Sequence, residues 1–382
     1  MDNQKVEFVS KFNKSGEEKI LKSVIIPTRN EEDYIEECIN SLIDLSIPWD
    51  TEFIVVDGMS TDRTIEIVKE KFSHLNLKIL ENPNLYQSYA MNIGIENSAS
   101  TSEVIIRADA HSKYLQDHIE DCYKAFSKNP IWVEYRKEIE ELSGAGNCGS
   151  VQCAVGTNFF TRIVADVMNS GYAMGGVQYR KIDMKYPLEK LYIQSDTAYL
   201  GCWEKSVLIE LGGFDEEFQI NEDYELNTRI RKSGRKVIVN KHSIVDYYVR
   251  SSIFGLIKQF FRYGLWKTKT LYVHPDSFKS RQLAPVLFVL FLIALGIGNF
   301  VLPNPYLLIL DALSSVIGVF WLIMILLIWK NSINNRTFKD PKSDLVFSVF
   351  IIPFIVLSMH ISWGLGFLYG LTRWARGGWN KS

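Results

Sequence analysis

The sequence predicts an α/β domain on a mostly parallel sheet, then an amphipathic helix, then a carboxyl-terminal membrane region. Three observations lead there. Short apolar runs alternate with amphipathic segments from Lys22 to Asp109, the pattern of strand–helix–strand units. Asn30, Asp57 and Asp109 fall at or just beyond the carboxyl ends of such runs, where ligands sit in parallel sheets. Near the end, Leu283–Leu302 holds 20 residues without a charge, Tyr306–Trp329 holds 24 with only Asp311, and Leu345–Leu368 holds another 24 with none. Crossing a bilayer takes roughly 20 residues of apolar helix.

In chain order, Lys22–Pro27 reads as a buried strand, followed by Thr28-Arg-Asn-Glu-Glu32 and a helix through Leu42. Glu52–Asp57 is the second strand. Gly58-Met-Ser-Thr-Asp62 turns the chain into a helix carrying Ile65, Ile67, Val68 and Phe72. Leu77–Leu80 is a third strand, Gln87–Asn97 a helix, and Glu103–Arg107 a fourth strand ending at Ala108-Asp109. Phe126–Leu142 is charged and helix-like. Gly144–Gly149 formally matches GxGxxG, but a charged helix precedes it and strand-like Val151–Val155 follows, so it reads as a turn. From Ser251 to Tyr272, Ile253, Phe254, Ile257, Phe260, Phe261, Leu265 and Trp266 recur at helical spacing beside Lys258, Arg262, Lys267 and Lys269. That suits a helix in the membrane interface, with an ordinary amphipathic core helix as the alternative.

Composition narrows the classes. With 42 Lys+Arg against 44 Asp+Glu and a net charge of -2, nothing points to a nucleic-acid partner. The first twenty residues carry charges throughout, so no secretory signal is expected and the soluble part is placed in the cytosol. Cys38, Cys122, Cys148, Cys153 and Cys202 form no CxxC pair and fit reduced thiols.

Two constellations carry chemistry. Asp109-Ala-His111, with Arg107 two residues earlier, offers a carboxylate and an imidazole that can reach one divalent cation, a site that suits a diphosphate. Gly212-Gly-Phe-Asp215 precedes Asn221–Ile230, where Glu222, Asp223 and Glu225 open an amphipathic helix. Acids favour helix amino ends through capping and the dipole, so each alone is also a capping candidate.

These strings, PTRNEE, VVDGMSTDRT, Asp-Ala-His, GGFDE and NEDYELNTRIRKSG, together resemble an inverting glycosyltransferase of family 2 with the GT-A fold, nearest the membrane-bound succinoglycan-type exopolysaccharide glucosyltransferases. The resemblance runs from about Ser23 to the basic stretch before the first span. It implies that Pro27, Arg29, Asn30 and Glu31 line a nucleotide pocket, with Asp57 accepting from base or ribose; its alternative is a cap on the Gly58 turn. Arg107 and Asp109 join this donor-binding set. Asp109 and His111 would hold Mn²⁺ or Mg²⁺ on the diphosphate, and Asp223 would be the general base. Glu222 and Glu225 would position or cap. Gln259-Phe-Phe-Arg262-Tyr263 resembles the Gln-x-x-Arg-Trp motif of polysaccharide synthases, which makes Gln259, Arg262 and Trp266 candidates for acceptor or diphosphate contact, with lipid binding as the alternative for Arg262. Gly58 and His111 stand where most members carry Asp, which removes one base-recognition carboxylate.

The expected divisions are a polar lead-in (1–20), a cytosolic catalytic domain (21–248), an interface helix and basic linker (249–282), a membrane domain (283–372) and a basic tail (373–382). The implied partners are a nucleotide-diphosphate sugar, UDP-sugar favoured, a polyprenyl-diphosphate-linked saccharide and membrane lipid. A polyprenyl-phosphate sugar synthase and a non-catalytic membrane scaffold are the competing readings. Three crossings are expected; they would put Arg373, Arg376 and Lys381 outside, so either the positive-inside rule fails for this tail or, as the alternative, the segment with Pro353 and His360 is re-entrant. Asp311 and His360 are intramembrane ionisable groups that could pair or face polar lipid.

Overall fold

A computed structural model describes residues 7–8, 20–43, 50–115, 118–126, 144–174, 192–335 and 342–379. The segment from Ser127 to Leu142, and Arg336, Lys339 and Lys381, lie outside the described residues. Two compact units divide the chain: Met1–Cys153 with Ile182–Tyr248, and Ala154–Lys181 with Val249–Ser382.

The first unit is built on a mixed sheet. Its strands are β1 (Glu7–Phe8), β2 (Lys22–Thr28), β3 (Thr51–Asp57), β4 (Leu77–Glu81), β5 (Val104–Arg107), β6 (Ser112–Tyr114), β7 (Ala145–Val155), β8 (Tyr192–Ser195), β9 (Tyr199–Glu204) and β10 (Lys236–Tyr248). Their order is β1-β4-β3-β2-β5-β9-β7-β10-β6, with β8 also paired to β10. Strands β4, β3, β2 and β5 run parallel, and β9 joins β5 antiparallel. The chain moves outward from β2 through β3 to β4, then returns to the other side of β2 as β5. That reversal opens a crevice at the carboxyl ends of β2 and β5, the usual ligand position in such sheets.

The parallel strands are buried on both faces, as their apolar runs predict; every residue of β3 is buried. Helices α1 (Ile35–Ile43), α2 (Thr64–Phe72) and α3 (Gln87–Glu96) fill the crossovers. On α3, Gly94 lies so close to β2 that an added Cβ would stand 2.6 Å from Ile25. The short helices α4 (His118–Lys124) and, after α5 (Phe159–Asn169) of the second unit, α6 (Lys205–Glu210), complete the layers with α7 (Glu222–Lys232).

One expectation is corrected. Gly144–Gly149 is no turn: Gly144, at φ 72°, leads into the continuous strand β7. Gly146 and Gly149 are strand glycines because an added Cβ would meet Ile230 at 2.5 Å and Ala198 at 2.3 Å.

The second unit is helical. Helix α5 (Phe159–Asn169) starts at Asn158, whose side chain accepts from the Thr161 N–H in a capping box. Then come α8 (Ile253–Val273), α9 (Leu283–Val301), α10 (Asn304–Asn335) and α11 (Lys342–Ala375). Three segments are long and apolar enough to cross a membrane: Ser280–Val301, Tyr306–Ile333 and Phe347–Ala375. Helix α11 continues through Pro353. Phe254 and Ile257 on α8 are exposed, whereas Leu256, Phe260 and Trp266 are buried. His360 Nε2 reaches the Ala173 carbonyl at 3.3 Å, while Asp311 is exposed.

Candidate active site

The cleft at the β2/β5 reversal is lined by Pro27 at the end of β2, Arg29 and Glu31 just after it, Gly58 after β3, Asn82, Leu85, Tyr86 and Gln87 before and on α3, and Asp109 and His111 after β5. Asn30 and Asp57 sit beside it with their side chains turned to the β3–α2 loop. Asn30 Oδ1 accepts from the Thr61 N–H at 2.8 Å, and Asp57 accepts from Ser60 Oγ at 2.6 Å and from the Ser60 N–H. Asn30, Met59 and Leu85 hold positive φ of 54°, 58° and 69°, a conformation uncommon outside glycine that here shapes the cleft's rim.

Asp109 is fixed from several sides. Its Oδ1 accepts from Arg107 Nε and from Gln87 Nε2, each at 2.9 Å, and its N–H donates to Tyr114 Oη at 2.6 Å. Burial works against the charge, yet Arg107, then His111, outweighs it and holds the Asp109 carboxyl below the usual range. His111 Nδ1 lies 3.2 Å from Glu31 Oε1, and its ring packs edge-on to Tyr247. Among the described residues no group of three or more His, Cys, Asp or Glu is arranged to hold a metal. Asp109 and His111 both line the cleft, a carboxylate and an imidazole of the kind that could serve a divalent cation together with phosphate oxygens and water.

The second acidic group closes on the first through Arg107. Arg107 Nη1 lies 3.1 Å from Glu222 Oε1, so the buried guanidinium spans Asp109 and the first residue of α7. Burial opposes its charge, and the Asp109, Glu222 and Asp223 carboxylates more than restore it. Burial pushes the Asp223 carboxyl up, with Arg107 and the Tyr224 N–H opposing. Burial and the neighbouring Asp223 charge push Glu222 up as well, against Arg107. Glu225 turns away into a bidentate pair with Arg229, both contacts 2.7 Å, and Arg229 donates to the carbonyls of Leu211 and Gly213.

Sequence reasoning passed over the residues that aim these groups. Asn92 of α3 accepts from the Phe214 N–H at 2.8 Å and donates to its carbonyl at 2.9 Å, clamping the Gly-Gly turn whose Gly212 and Gly213 have φ of 77° and 71°. Asn221, at φ 64°, then swings the chain into α7. Gln87 and Asn92 lie five apart on a helix with little amphipathic signal, so only their partners reveal them. Gln259, Arg262 and Trp266 belong to α8 in the second unit. There Gln259 Nε2 donates to Tyr263 Oη at 2.9 Å, and the Trp266 ring packs 5.7 Å from Trp379.

Known proteins resemble this chain in sequence and in fold. The glycosyl transferase family 2 profile matches residues 23–142. A Methanococcus voltae dolichyl N-acetyl-α-D-glucosaminyl phosphate 3-β-D-2,3-diacetamido-2,3-dideoxy-β-D-glucuronosyltransferase is 32% identical over 278 residues, 72% of this chain and 80% of that one. The succinoglycan biosynthesis protein ExoA of Rhizobium meliloti is 28% identical over 273 residues, 69% of this chain and 74% of that one. Among solved structures, a Pyrobaculum calidifontis mannosyltransferase in complex with GDP-Man and Mn²⁺ superposes with a TM-score of 0.56 at 17% identity, covering 92% of this chain and 86% of that one. The fold is therefore GT-A, and the chain, with its cleft at the strand reversal, belongs to glycosyltransferase family 2.

Proposed function

We propose that the protein is a membrane-bound, inverting glycosyltransferase that moves a sugar from a nucleotide-diphosphate donor to a hydroxyl of a lipid-linked saccharide. The observation that carries this reading is the Arg107 bridge, which holds Asp109 on the donor cleft and Glu222-Asp223 at the α7 amino end within one charge network. The cleft residues Pro27, Arg29 and Glu31 would take the nucleotide, while Asn30 and Asp57 brace the loop behind it. Asp109 and His111 would hold Mn²⁺ or Mg²⁺. When bound, the cation neutralises charge on the departing diphosphate. Arg107 and Gln87 fix the Asp109 carboxylate in place for that role. Asp223 accepts the proton of the acceptor hydroxyl as that oxygen attacks the anomeric carbon from the face opposite the diphosphate. Attack from the opposite face inverts the centre with a single carboxylate as base.

The acceptor class is supported by the names of the relatives, one acting on a dolichyl-linked amino sugar and one in succinoglycan biosynthesis, and by the apolar carboxyl-terminal helices. A catalytic domain tethered at the cytosolic face of the cell membrane meets a polyprenyl-linked headgroup directly. The test is transfer by the purified full-length protein from a panel of labelled nucleotide sugars, UDP-sugars and GDP-mannose among them, with Mn²⁺ or Mg²⁺. Acceptors are polyprenyl-diphosphate saccharides and polyprenyl phosphate. Label on the saccharide supports the reading. Label on polyprenyl phosphate would identify a polyprenyl-phosphate sugar synthase, and neither transfer nor donor hydrolysis would leave a scaffold.

A further inference from the structure

Three segments are apolar enough to cross a membrane, yet their surroundings differ. In α9 and α10, 17% and 11% of the apolar window is buried; in α11 it is 39%. The far halves of α9 and α10 meet each other, through Gly298 against Leu310, and are otherwise bare: Ile293, Ile297, Phe300, Leu308, Leu313 and Phe320 are all exposed. A third helix crossing beside them would cover part of that surface. Helix α11 instead touches α9 in its first two turns, where Gly364 packs on Pro285 and Val289 and Phe367 clusters with Val286.

The neighbours of α11 set its depth. Along its length α11 packs most on α8, then on α9, α10 and α5, and its His360 ring stands edge-on to Trp321 of α10 at 6.0 Å. Ile352, Ile355, Val356 and Met359 are buried, and His360 meets the Ala173 carbonyl just beyond α5. Asp166 on α5 accepts from Ser332 at the end of α10. From there on α11 runs parallel to α8 at backbone contact. An added Cβ at Gly264 would stand 2.0 Å from the Trp363 carbonyl, one at Gly366 2.0 Å from the Phe261 carbonyl, and one at Gly370 2.1 Å from Thr268 Oγ1. The pairing ends in aromatic and cationic contacts, Tyr272 with Trp374 at 5.5 Å and Arg373 over Trp379 at 4.3 Å.

Both α5 and α8 precede α9, the first of the three candidate spans. Helix α5 has 11 residues, too few to cross, and α8 carries Lys258, Arg262, Lys267 and Lys269, which bars it from the hydrocarbon. Both therefore lie on the side from which the chain first enters the bilayer, and α11, packed on both, lies there too.

We infer that the chain crosses the membrane twice, through α9 and α10, and that α11 lies with α5 and α8 in the interface of the leaflet the chain starts from. The layer presents a lipid-facing surface: Phe254 on α8 and Phe347, Phe350 and Phe354 on α11 are exposed, and on α8 Lys258 is exposed and Arg262 half-buried, while Lys267 and Lys269 are buried, a pattern that suits a headgroup plane. Two crossings return Arg373 and Arg376 to the starting side and remove the positive-inside conflict that three crossings give them. Tyr and Trp at the α8 and α11 ends occupy the depth such residues prefer.

The test uses the full chain with a carboxyl-terminal epitope tag in sealed membrane vesicles, digested by protease from outside. The catalytic domain, followed by an antibody to it, is the internal reference, and detergent-opened vesicles show that both sites are cleavable. Two crossings predict that tag and catalytic domain share one fate, cleaved together in one vesicle orientation and protected together in the other. A tag protected where the catalytic domain is digested, or the reverse, would show a third crossing and overturn the inference. Transfer activity does not enter, so the outcome is independent of the donor and acceptor assigned above.

Discussion

Arg107 Nη1 lies 3.1 Å from Glu222 Oε1 while Arg107 Nε lies 2.9 Å from Asp109 Oδ1, so one buried guanidinium ties the end of β5 to the start of α7. Among the described residues its side-chain partners are protein carboxylates, which makes Arg107 a structural link between the two halves of the site more than a donor contact. Arg107→Met leaves two buried carboxylates uncompensated and is expected to cost about 3–5 kcal/mol, read as a lowered Tm of the detergent-solubilised protein. Arg107→Lys keeps the charge but loses the fork, so kcat should fall while nucleotide affinity, measured by calorimetry, changes by less than about threefold.

Asp223→Asn removes the proposed base with little change of shape. The expected result is a kcat lower by about 10²–10⁴, the range for loss of a general base, with nucleotide binding unchanged. Full activity in this variant would exclude Asp223 as the base.

The pH dependence follows from the same burial. Asp223 and Glu222 are shifted upward, so the ionised base is lost on acidification at a higher pH than an ordinary Asp allows, and the acid limb of kcat/KM should lie above the usual carboxylate range. Asp109 is shifted downward, so nucleotide–metal binding should persist to lower pH than turnover does. Stability runs the other way for the raised pair. Their protonated forms are favoured by the fold, so their contribution is present at low pH and declines as pH rises through their folded values. Rate and Tm measured across one pH series check both signs.

Chelation should abolish transfer, with Mn²⁺ or Mg²⁺ restoring it. Asp109→Asn and His111→Ala should each raise the metal concentration for half-maximal rate by about 10–100-fold, the usual cost of weakening a cation's ligand environment. Turnover indifferent to chelator would remove the metal role from both residues.

Gly94→Ala tests the scaffold beneath the site. The new methyl would stand 2.6 Å from Ile25, so α3 must move off β2. Overpacking of this kind costs about 1–3 kcal/mol. Gln87 and Asn92 ride on α3, so donor KM should rise along with the loss in Tm.

Much was legible in the sequence because it is local. The strands β2, β3 and β5 announce themselves as apolar runs that both faces of a parallel sheet require, and their carboxyl ends mark the crevice. Asp109, His111 and Asp223 stand out because their strings place acids at strand and helix ends. The Gly144–Gly149 run misled for the same reason: a glycine spacing says that backbone or side chains approach closely, not which ones, and here they are Ile230 and Ala198 beside a strand.

By itself, then, the sequence determined the element order, the chemistry available at each strand end and the presence of apolar segments long enough to cross a bilayer. Tertiary structure decided which of these meet. Arg107 and Glu222 are 115 positions apart, and Asn92 and Phe214 are 122 apart. No periodicity encodes such pairs, because the sheet's return past β2 and the αL turn at Asn221 bring them together. The same holds for α11, whose composition matches a crossing helix. Its packing partners are α8, α9, α10 and α5, met through glycines on α8 and α11 whose meaning appears only when two backbones touch.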